Sequence, residues 1–401
     1  MGLVSAPTQQ TQPEDNSESV VKASATWGRL GEVIQEHLDI QLIAIVTAVA
    51  CALPGVFLVL RRMTLMSDAI SHAILPGIVL AFFLTESLSS PLLILAAAGT
   101  GVLTVVFVEL LQRTKLVKED AAIGLTFPAL FSIGVILISR FAGNVHLDMD
   151  AVLLGELAYA PLNRLNVFGR DVGPVSVYVM GTILLLNLAF ILLFYKELKL
   201  ATFDASLAAT LGFAPTLIHY GLMTLVSVTT VGAFDAVGSI LVVALIAGPP
   251  ATAYLITNRL SLMLTLSAII GSVNAVGGYW LAYLFDVSIA GAIATMTLLV
   301  FGVIFLVVPN RGIIAIARRR TRQKWEFAQT MLVIHLFNHE GLPEAEAESE
   351  IAHLHEHLRW DPTFATQVVK YALNNRCVSQ EETQLTLTER GRSVAQQALV
   401  Q

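Results

Sequence analysis

The chain has 401 residues, of which 55% are hydrophobic and only 13% are charged, and its formal net charge at pH 7 is −6. A mean hydropathy of +0.71 lies outside the range of soluble globular proteins, so the composition predicts a polytopic membrane protein. The two cysteines, Cys51 and Cys377, stand in distant segments of different character, which excludes a disulfide framework and a CxxC metal site.

The N-terminal segment is polar and rich in Gln, Ser and Thr up to about Ser24. It lacks the basic stretch followed by an apolar stretch that marks a signal peptide. We therefore expect residues 1–37 to be disordered or to lie at the membrane interface.

Nine apolar runs follow, and each is long enough to cross a bilayer. They cover residues 40–60, 66–85, 91–111, 121–140, 175–195, 216–235, 237–257, 261–284 and 288–308. Several runs contain Gly or Pro, which can break or tilt a helix, so eight true spans also fit the pattern. The predicted fold is an all-α membrane domain over residues 38–310 with eight or nine transmembrane helices.

Basic residues are concentrated in the connections that follow alternate runs, and the positive-inside rule assigns these connections to the cytoplasm. The residues are Arg61, Arg62, Arg113, Lys115, Lys118, Lys196, Lys199, Arg259, Arg311, Arg318, Arg319 and Arg320. The C-terminus is then cytoplasmic. The N-terminus lies outside if there are nine spans and inside if there are eight.

Two ionisable residues, Asp68 and His72, interrupt the second run. An ionisable residue at membrane depth is costly and marks a pathway or a site, and the four-residue spacing places both side chains on one helix face. A carboxylate with an imidazole suits Mn, Fe or Zn better than Mg or Ca, so we predict that the pair binds a transported metal ion. A structural hydrogen bond between helices is the alternative. The pair lies at the cytoplasmic start of the span, or deeper if the helix breaks near Pro76.

Other ionisable residues of the runs receive structural roles. Glu109, near the cytoplasmic end of its run, is expected to reach the interface or to pair with Arg113 at i+4. His219 is expected to pack at the interface.

A short cytoplasmic helix is predicted between the fifth and sixth runs. Asp204 can cap a helix through residues 205–211, and Gly212 with Pro215 would end it. Its apolar residues 207, 208 and 211 can dock on a partner, although an interfacial turn between two spans fits the pattern equally well. The sequence contains no GxxxxGK[ST] motif, so ATP-driven activity would require hydrolysis by another polypeptide.

A polar segment, 322–401, predicts a separate domain that is large enough to fold alone. Its order of helix, helix, helix, hairpin and terminal helix, with strands near 377–379 and 384–388, indicates an α+β winged helix. It has 11 acidic and 7 basic residues, the opposite of a nucleic-acid-binding footprint. A protein-contact or regulatory module is favoured.

Histidines recur in this segment at helical spacing. His335 with His339, and His353 with His357, each stand four residues apart and can chelate a metal on one helix. One hypothesis is a sensor that reduces transport when cytosolic metal rises. A solvated histidine-rich helix is the other.

Four stretches resemble the permease subunits of the ABC-3 family of divalent-metal importers of bacteria: 58–77, 118–124, 195–199 with 203–204, and 237–245. The resemblance implies a homodimeric permease of the cytoplasmic membrane that binds two ATPase subunits and receives metal from an extracytoplasmic lipoprotein. It also implies a coupling helix at 203–213, whose contact residues would be Phe203, Asp204, Ala205, Leu207, Ala208, Leu211 and Gly212. The segment 385–391 resembles the winged-helix region of metal-dependent repressors.

The favoured function is thus a permease subunit, not an enzyme, that imports Mn²⁺ or Zn²⁺, with Fe²⁺ as a further option. Dimer symmetry would supply a second Asp68/His72 pair, and ATP would bind the partner subunit, with no covalent cofactor. The alternatives are a permease for a metal chelate of the siderophore or corrinoid kind, an ATP-independent transporter or channel, and a membrane-anchored metal-responsive regulator. Metal identity stays open, because Asp/His ligation accommodates several ions.

Overall fold

The computed structural model describes residues 16–85, 91–141, 157–167, 170–309, 311–351 and 354–400. The chain forms two compact units, Met1–Ile304 and Phe305–Gln401. The helices of the first unit are α1 (Asn16–Leu60), α2 (Leu65–Ala73), α3 (Leu75–Thr85), α4 (Pro91–Arg113), α5 (Glu119–Phe141), α6 (Val175–Leu193), α7 (Tyr195–Phe203), α8 (Ala205–Thr210), α9 (Pro215–Val237), α10 (Ser239–Ile256), α11 (Leu260–Phe285) and α12 (Ile289–Val307). The last of them, α12, ends three residues beyond the boundary between the units.

Nine segments of the described residues are long and apolar enough to cross a membrane. They are His37–Leu60, Leu65–Thr85, Leu92–Arg113, Glu119–Arg140, Val175–Leu193, Pro215–Phe234, Ser239–Ile256, Leu260–Phe285 and Ile289–Val307. Each coincides with one of the nine predicted runs, so the polytopic helical prediction is confirmed.

The first helix begins much earlier than the sequence suggested. Helix α1 starts at Asn16, so residues 16–37 are helical and not disordered, while the alternative of an interfacial segment stays a prediction. The physical reason is local, because this stretch is free of Pro and contains many good helix formers. Residues 1–15 lie outside the described part of the chain.

Helix α1 is the central span of the first unit. It packs against α6, α9, α10 and α11, and small residues on its surface allow the backbones to approach closely, as is common between helices in membranes. Gly55 shows how closely: a Cβ atom there would lie 2.1 Å from the carbonyl oxygen of Ile246 in α10. Asn187 of α6 adds a buried hydrogen bond, donating from Nδ2 to the Ala50 carbonyl at 2.8 Å.

Gly55→Ala is therefore expected to lower the thermal stability of the detergent-solubilised chain, since the methyl group forces two helix backbones apart at a cost of about 1–3 kcal/mol. Gly181 in α6 is the matched control, because a Cβ atom at that position meets nothing within 4 Å. Gly181→Ala should raise stability slightly, as alanine is the better helix former. Equal melting temperatures for the two variants would contradict this packing.

The connection before α6 contains a small antiparallel hairpin, β1 (Arg164–Val167) and β2 (Arg170–Pro174). Arg164 fixes the hairpin to the central span, since its Nη1 atom donates to Asp39 Oδ2 at 2.8 Å. A second carboxylate, Asp171, also accepts from this guanidinium. These hydrogen bonds raise the pKa of Arg164, which stays charged.

The second unit carries helices and one hairpin around its own core. Its elements are α13 (Ile313–His339), α14 (Ala345–Glu348), α15 (Leu354–His357), α16 (Pro362–Asn374), β3 (Val378–Glu381), β4 (Gln384–Leu387) and α17 (Glu389–Val400). Leu332, Val333, Val368 and Ala372 are fully buried in this core. The unit starts before the predicted boundary at residue 322, because α13 runs through that position without interruption. Four helices precede the hairpin where three were predicted, two of them of only four residues, and the hairpin and the terminal helix follow in the predicted order. The winged-helix fold stays a prediction.

Candidate metal sites and the polar cluster

Asp68 and His72 lie on α2, the short first half of the second span. The His72 Nε2 atom is 3.5 Å from Asp68 Oδ1, and the two side chains are 32% and 43% exposed respectively. The pair is thus joined within one helix, whereas the alternative predicted from the sequence was a bond between helices. This chain leaves both side chains partly uncovered, so they remain able to meet an ion or a second copy.

The neighbouring serines do not share that uncovered face. Ser67 and Ser71 are buried. Ser67 Oγ donates to the Thr64 carbonyl at 2.8 Å, and Ser71 Oγ donates to the Ser67 carbonyl at 2.9 Å. Because both hydroxyls are used within the helix, the carboxylate and the imidazole are the ligand-type groups that α2 presents.

The break between α2 and α3 follows from Pro76, whose missing N–H and bulky ring disrupt the helix one turn earlier. Helix α2 packs against α4, α5, α9 and α10. Ile70 lies against Gly101, midway along α4, where a Cβ atom would be 3.0 Å from Ile70 Cγ2. The His72 ring lies 5.8 Å from the ring of Phe127, within α5. The second span is thus broken between α2 and α3, near Pro76, while the depth of the pair in the membrane stays a prediction.

The segment predicted to couple to a partner forms α8. Asp204 caps it, accepting from the Leu207 backbone N–H at 2.9 Å, and Gly212 follows with φ of +84°. Three apolar side chains, Phe203, Leu207 and Leu211, are 61%, 46% and 58% exposed. Leu207 and Leu211 lie one helical turn apart, and with Phe203 at the end of α7 they form what we term the apolar stripe.

Ala208 departs from this pattern. It was grouped with the contact residues, but the structure buries it completely. The short helix turns residue 208 inward, so that Ala208 packs α8 against neighbouring parts of the first unit. Ala205 is exposed beside the stripe, while Asp204 and Gly212 shape the two ends.

A polar cluster that the sequence did not predict lies near the ends of α1, α4, α7 and α9. The Glu109 carboxylate accepts from Tyr220 Oη at 2.5 Å and lies 2.5 Å from His219 Nε2. Arg61 Nη1 lies 2.9 Å from His219 Nδ1, and Arg61 Nε donates to Thr202 Oγ1 at 3.2 Å. An imidazole with an unprotonated Nδ1 can accept from the Arg61 guanidinium, whereas its buried Nε2 atom is close to the Glu109 carboxylate without a well-aligned hydrogen bond.

The expected partner of Glu109 was Arg113, which is farther away at 3.9 Å. The closer partners come from α9, and they are separated from Glu109 by more than a hundred residues of sequence. The cluster connects the segment that leads into α8 with three spans. A chain of side-chain contacts thus runs from Thr202, just before the apolar stripe, to the helix bundle.

In the second unit, three of the predicted histidines come together. The rings of His335 and His339 are tilted against each other with centroids 4.7 Å apart, and the His357 ring centroid lies 6.0 Å from that of His335. Glu348, which the sequence pattern missed, lies among them, 3.2 Å from His335 Nε2 and 3.1 Å from His357 Nδ1. Burial lowers the pKa of His335, so this ring is neutral at pH 7. His353 lies outside the described residues.

Residues 35–308 match the model of the ABC 3 transport family. The zinc transport system membrane protein TroD of Treponema pallidum is 48% identical over 362 residues, which are 90% of this chain and 98% of TroD. The manganese transport system membrane protein MntD of Bacillus subtilis is 48% identical over 270 residues, 67% of this chain and 91% of MntD. The TroD match is too long to end at residue 308, so it includes part of the second unit.

A solved structure, PsaBC from Streptococcus pneumoniae in complex with Fab, shares the fold with a TM-score of 0.57 at 30% identity. The likeness covers 68% of this chain and 92% of the matched chain. The region covered thus corresponds in extent to the membrane-spanning part of this chain.

Proposed function

This chain belongs to the ABC 3 transport family, and from that premise we propose that it is the permease subunit of an importer for a divalent transition metal ion, Mn²⁺ or Zn²⁺. The observation that carries the proposal is the Asp68/His72 pair, which lies on a helix packed against four other spans with both side chains partly uncovered. A carboxylate and an imidazole bind such an ion without enclosing it, which suits a site that must also release its cargo.

Two copies of the chain would complete this site. One Asp68/His72 pair supplies only two ligands, and a two-fold axis beside α2 would bring a second pair to the same ion. The resulting two oxygens and two nitrogens match the four ligands that zinc commonly takes. This arrangement makes the homodimer part of the proposal.

ATP would be hydrolysed by a separate subunit that docks on the apolar stripe, and a metal-binding lipoprotein would deliver the ion on the outer side. Support for the docking site comes from exposure, since Phe203, Leu207 and Leu211 leave their side chains open on a connection that the positive-inside rule assigns to the cytoplasm. By the same rule, the second unit is a cytoplasmic module. The acidic excess of residues 322–401 favours regulation or protein contact over DNA binding.

Transport in proteoliposomes tests this function and separates it from an ATP-independent transporter. We expect uptake of radioactive zinc or manganese only when the chain is reconstituted with the ATPase subunit of its transport system and ATP is supplied. A catalytically inactive ATPase is the control. Uptake by the chain alone, driven by an ion gradient, would refute the proposal, and uptake restricted to chelated metal would favour the chelate permease instead.

A further inference from the structure

The second unit brings together three nitrogen- and oxygen-bearing side chains from two helices. His335 and His339 lie one turn apart on α13, and Glu348 comes from α14. One ligand-type atom from each of the three lies within 4.8 Å of the other two. We infer that His335, His339 and Glu348 form a metal-binding site that prefers zinc over manganese. This inference goes beyond the proposed transport function, because it concerns a different unit and needs no transport to be tested.

The distances between the donor atoms fit a tetrahedral ion. Ligand atoms at about 2.0–2.2 Å from zinc stand about 3.3 Å from each other, and His335 Nε2 is already 3.2 Å from Glu348 Oε2. His335 Nε2 also lies 3.3 Å from the Glu348 carbonyl oxygen, and it would exchange this contact for the metal. Two histidines one helical turn apart are a recognised zinc-chelating arrangement, and the carboxylate adds the third ligand.

The surrounding bonds orient the ligands. His339 Nδ1 lies 2.9 Å from the His335 carbonyl oxygen, so an N–H at this position donates to the backbone and leaves the Nε2 lone pair for a metal. Glu348 Oε2 is fully buried and accepts no well-aligned hydrogen bond from the described residues. A buried carboxylate oxygen without a hydrogen bond costs free energy, and a bound cation would neutralise its charge.

The position of Glu348 is held from both sides. The residues that follow it pair with the hairpin, where the Leu385 N–H donates to the Ser349 carbonyl at 3.0 Å and the Ile351 N–H donates to the Thr383 carbonyl at 3.1 Å. His357 Nδ1 lies 3.1 Å from the same carboxylate and is a positioning residue. A cavity of about 290 Å³, lined by His339 and Glu348 among others, gives an ion access from one side.

The donor set selects the metal. Two imidazole nitrogens and one carboxylate oxygen suit zinc, whereas Ca²⁺ and Mg²⁺ prefer oxygen ligands alone. Manganese stands at the weak end of the affinity order for such sites. With three protein ligands, a fourth position remains for water or for another residue.

Zinc binding to the full chain in detergent tests the site, in a background where Asp68→Ala and His72→Ala remove the transmembrane pair. We expect about one zinc ion per chain by titration against a chromophoric chelator, and a far weaker response to manganese. His335→Ala/His339→Ala should weaken zinc binding by at least about 100-fold, and Glu348→Gln by about 10–100-fold. X-ray absorption should show nitrogen or oxygen ligands at about 2.0–2.1 Å.

Glu346→Gln is the matched control, because Glu346 belongs to the same short helix but is exposed and outside the ligand set. It should bind zinc like the background chain. Glu348→Gln preserves the shape of the side chain, so its loss of binding cannot be ascribed to unfolding if the melting curve without metal is unchanged. Equal zinc affinity in Glu346→Gln, Glu348→Gln and the double histidine variant would overturn the inference, and would leave the transport proposal untouched.

Discussion

Asp68→Ala and His72→Ala are each expected to reduce cellular accumulation of zinc or manganese by at least about tenfold at matched expression. Removing groups that only orient the ligands of a metal typically costs 10–100-fold, and here a ligand itself is lost from a site with few ligands. Because the two residues act on one ion, the double variant should be no worse than the stronger single variant. Accumulation of isotope per cell, measured over the initial linear phase, gives the result.

Ser71→Ala is the control for this prediction. Ser71 lies on the same short helix between the two ligands in sequence, but its hydroxyl is buried and bonded to the Ser67 carbonyl. Uptake by Ser71→Ala should stay within about twofold of the wild-type rate. If Asp68→Ala and His72→Ala transport as well as Ser71→Ala does, the site assignment is wrong, although membership of the ABC 3 family stands.

The spans and local helix ends follow from short-range patterns that are visible in the sequence. A run of about twenty apolar residues must form a helix in a bilayer, because its backbone groups have no other partners there. Local chemistry also decides where helices end and begin. Pro76 lacks a backbone N–H and predicts the break after α2, and Asp204 is a favoured helix cap and predicts the start of α8. These features depend on neighbours within one or two helical turns.

Contacts between distant elements could not be predicted in this way. Glu109 and His219 meet because α4 packs against α9, and no pattern in either helix records the other. Glu348 joins His335 through a turn whose geometry decides which acidic residue points inward. Ala208 faces inward for a similar tertiary reason, although its apolar neighbours on α8 remain exposed. A single sequence supplies the ligand types, while packing decides which of them converge.

Coupling to a motor requires a mechanical path from the docking surface to the spans. Under the docking proposed above, the polar cluster would be that path. Thr202 lies just before the apolar stripe and bonds Arg61, which in turn contacts His219 on α9. Glu109 holds the other side of that imidazole from α4. Movement of α8 would thus pull on three spans through directed bonds, whereas an apolar contact would let the helix slide.

Leu207→Asp/Leu211→Asp is expected to abolish ATP-dependent uptake by releasing the ATPase subunit. Buried apolar anchors at the centre of an interface often contribute about 2 kcal/mol or more each, so the affinity for the ATPase should fall by at least about 100-fold. Stability of the chain itself should change little, because both side chains are largely exposed in the chain. Co-purification of the ATPase with the tagged chain and the melting temperature in detergent measure the two effects.

Ser206→Asp distinguishes loss of the apolar stripe from the mere addition of charge. Ser206 is exposed on the same helix and lies off the stripe, since a helix turns by about 100° per residue. It should retain most of the ATPase and most of the uptake. Equal retention of the ATPase by both variants would show that the motor docks elsewhere, and equal loss would show that any charge on α8 prevents docking. The proposed contact requires the outcomes to differ, because Leu207 and Leu211 are apolar and uncovered on one side of this helix.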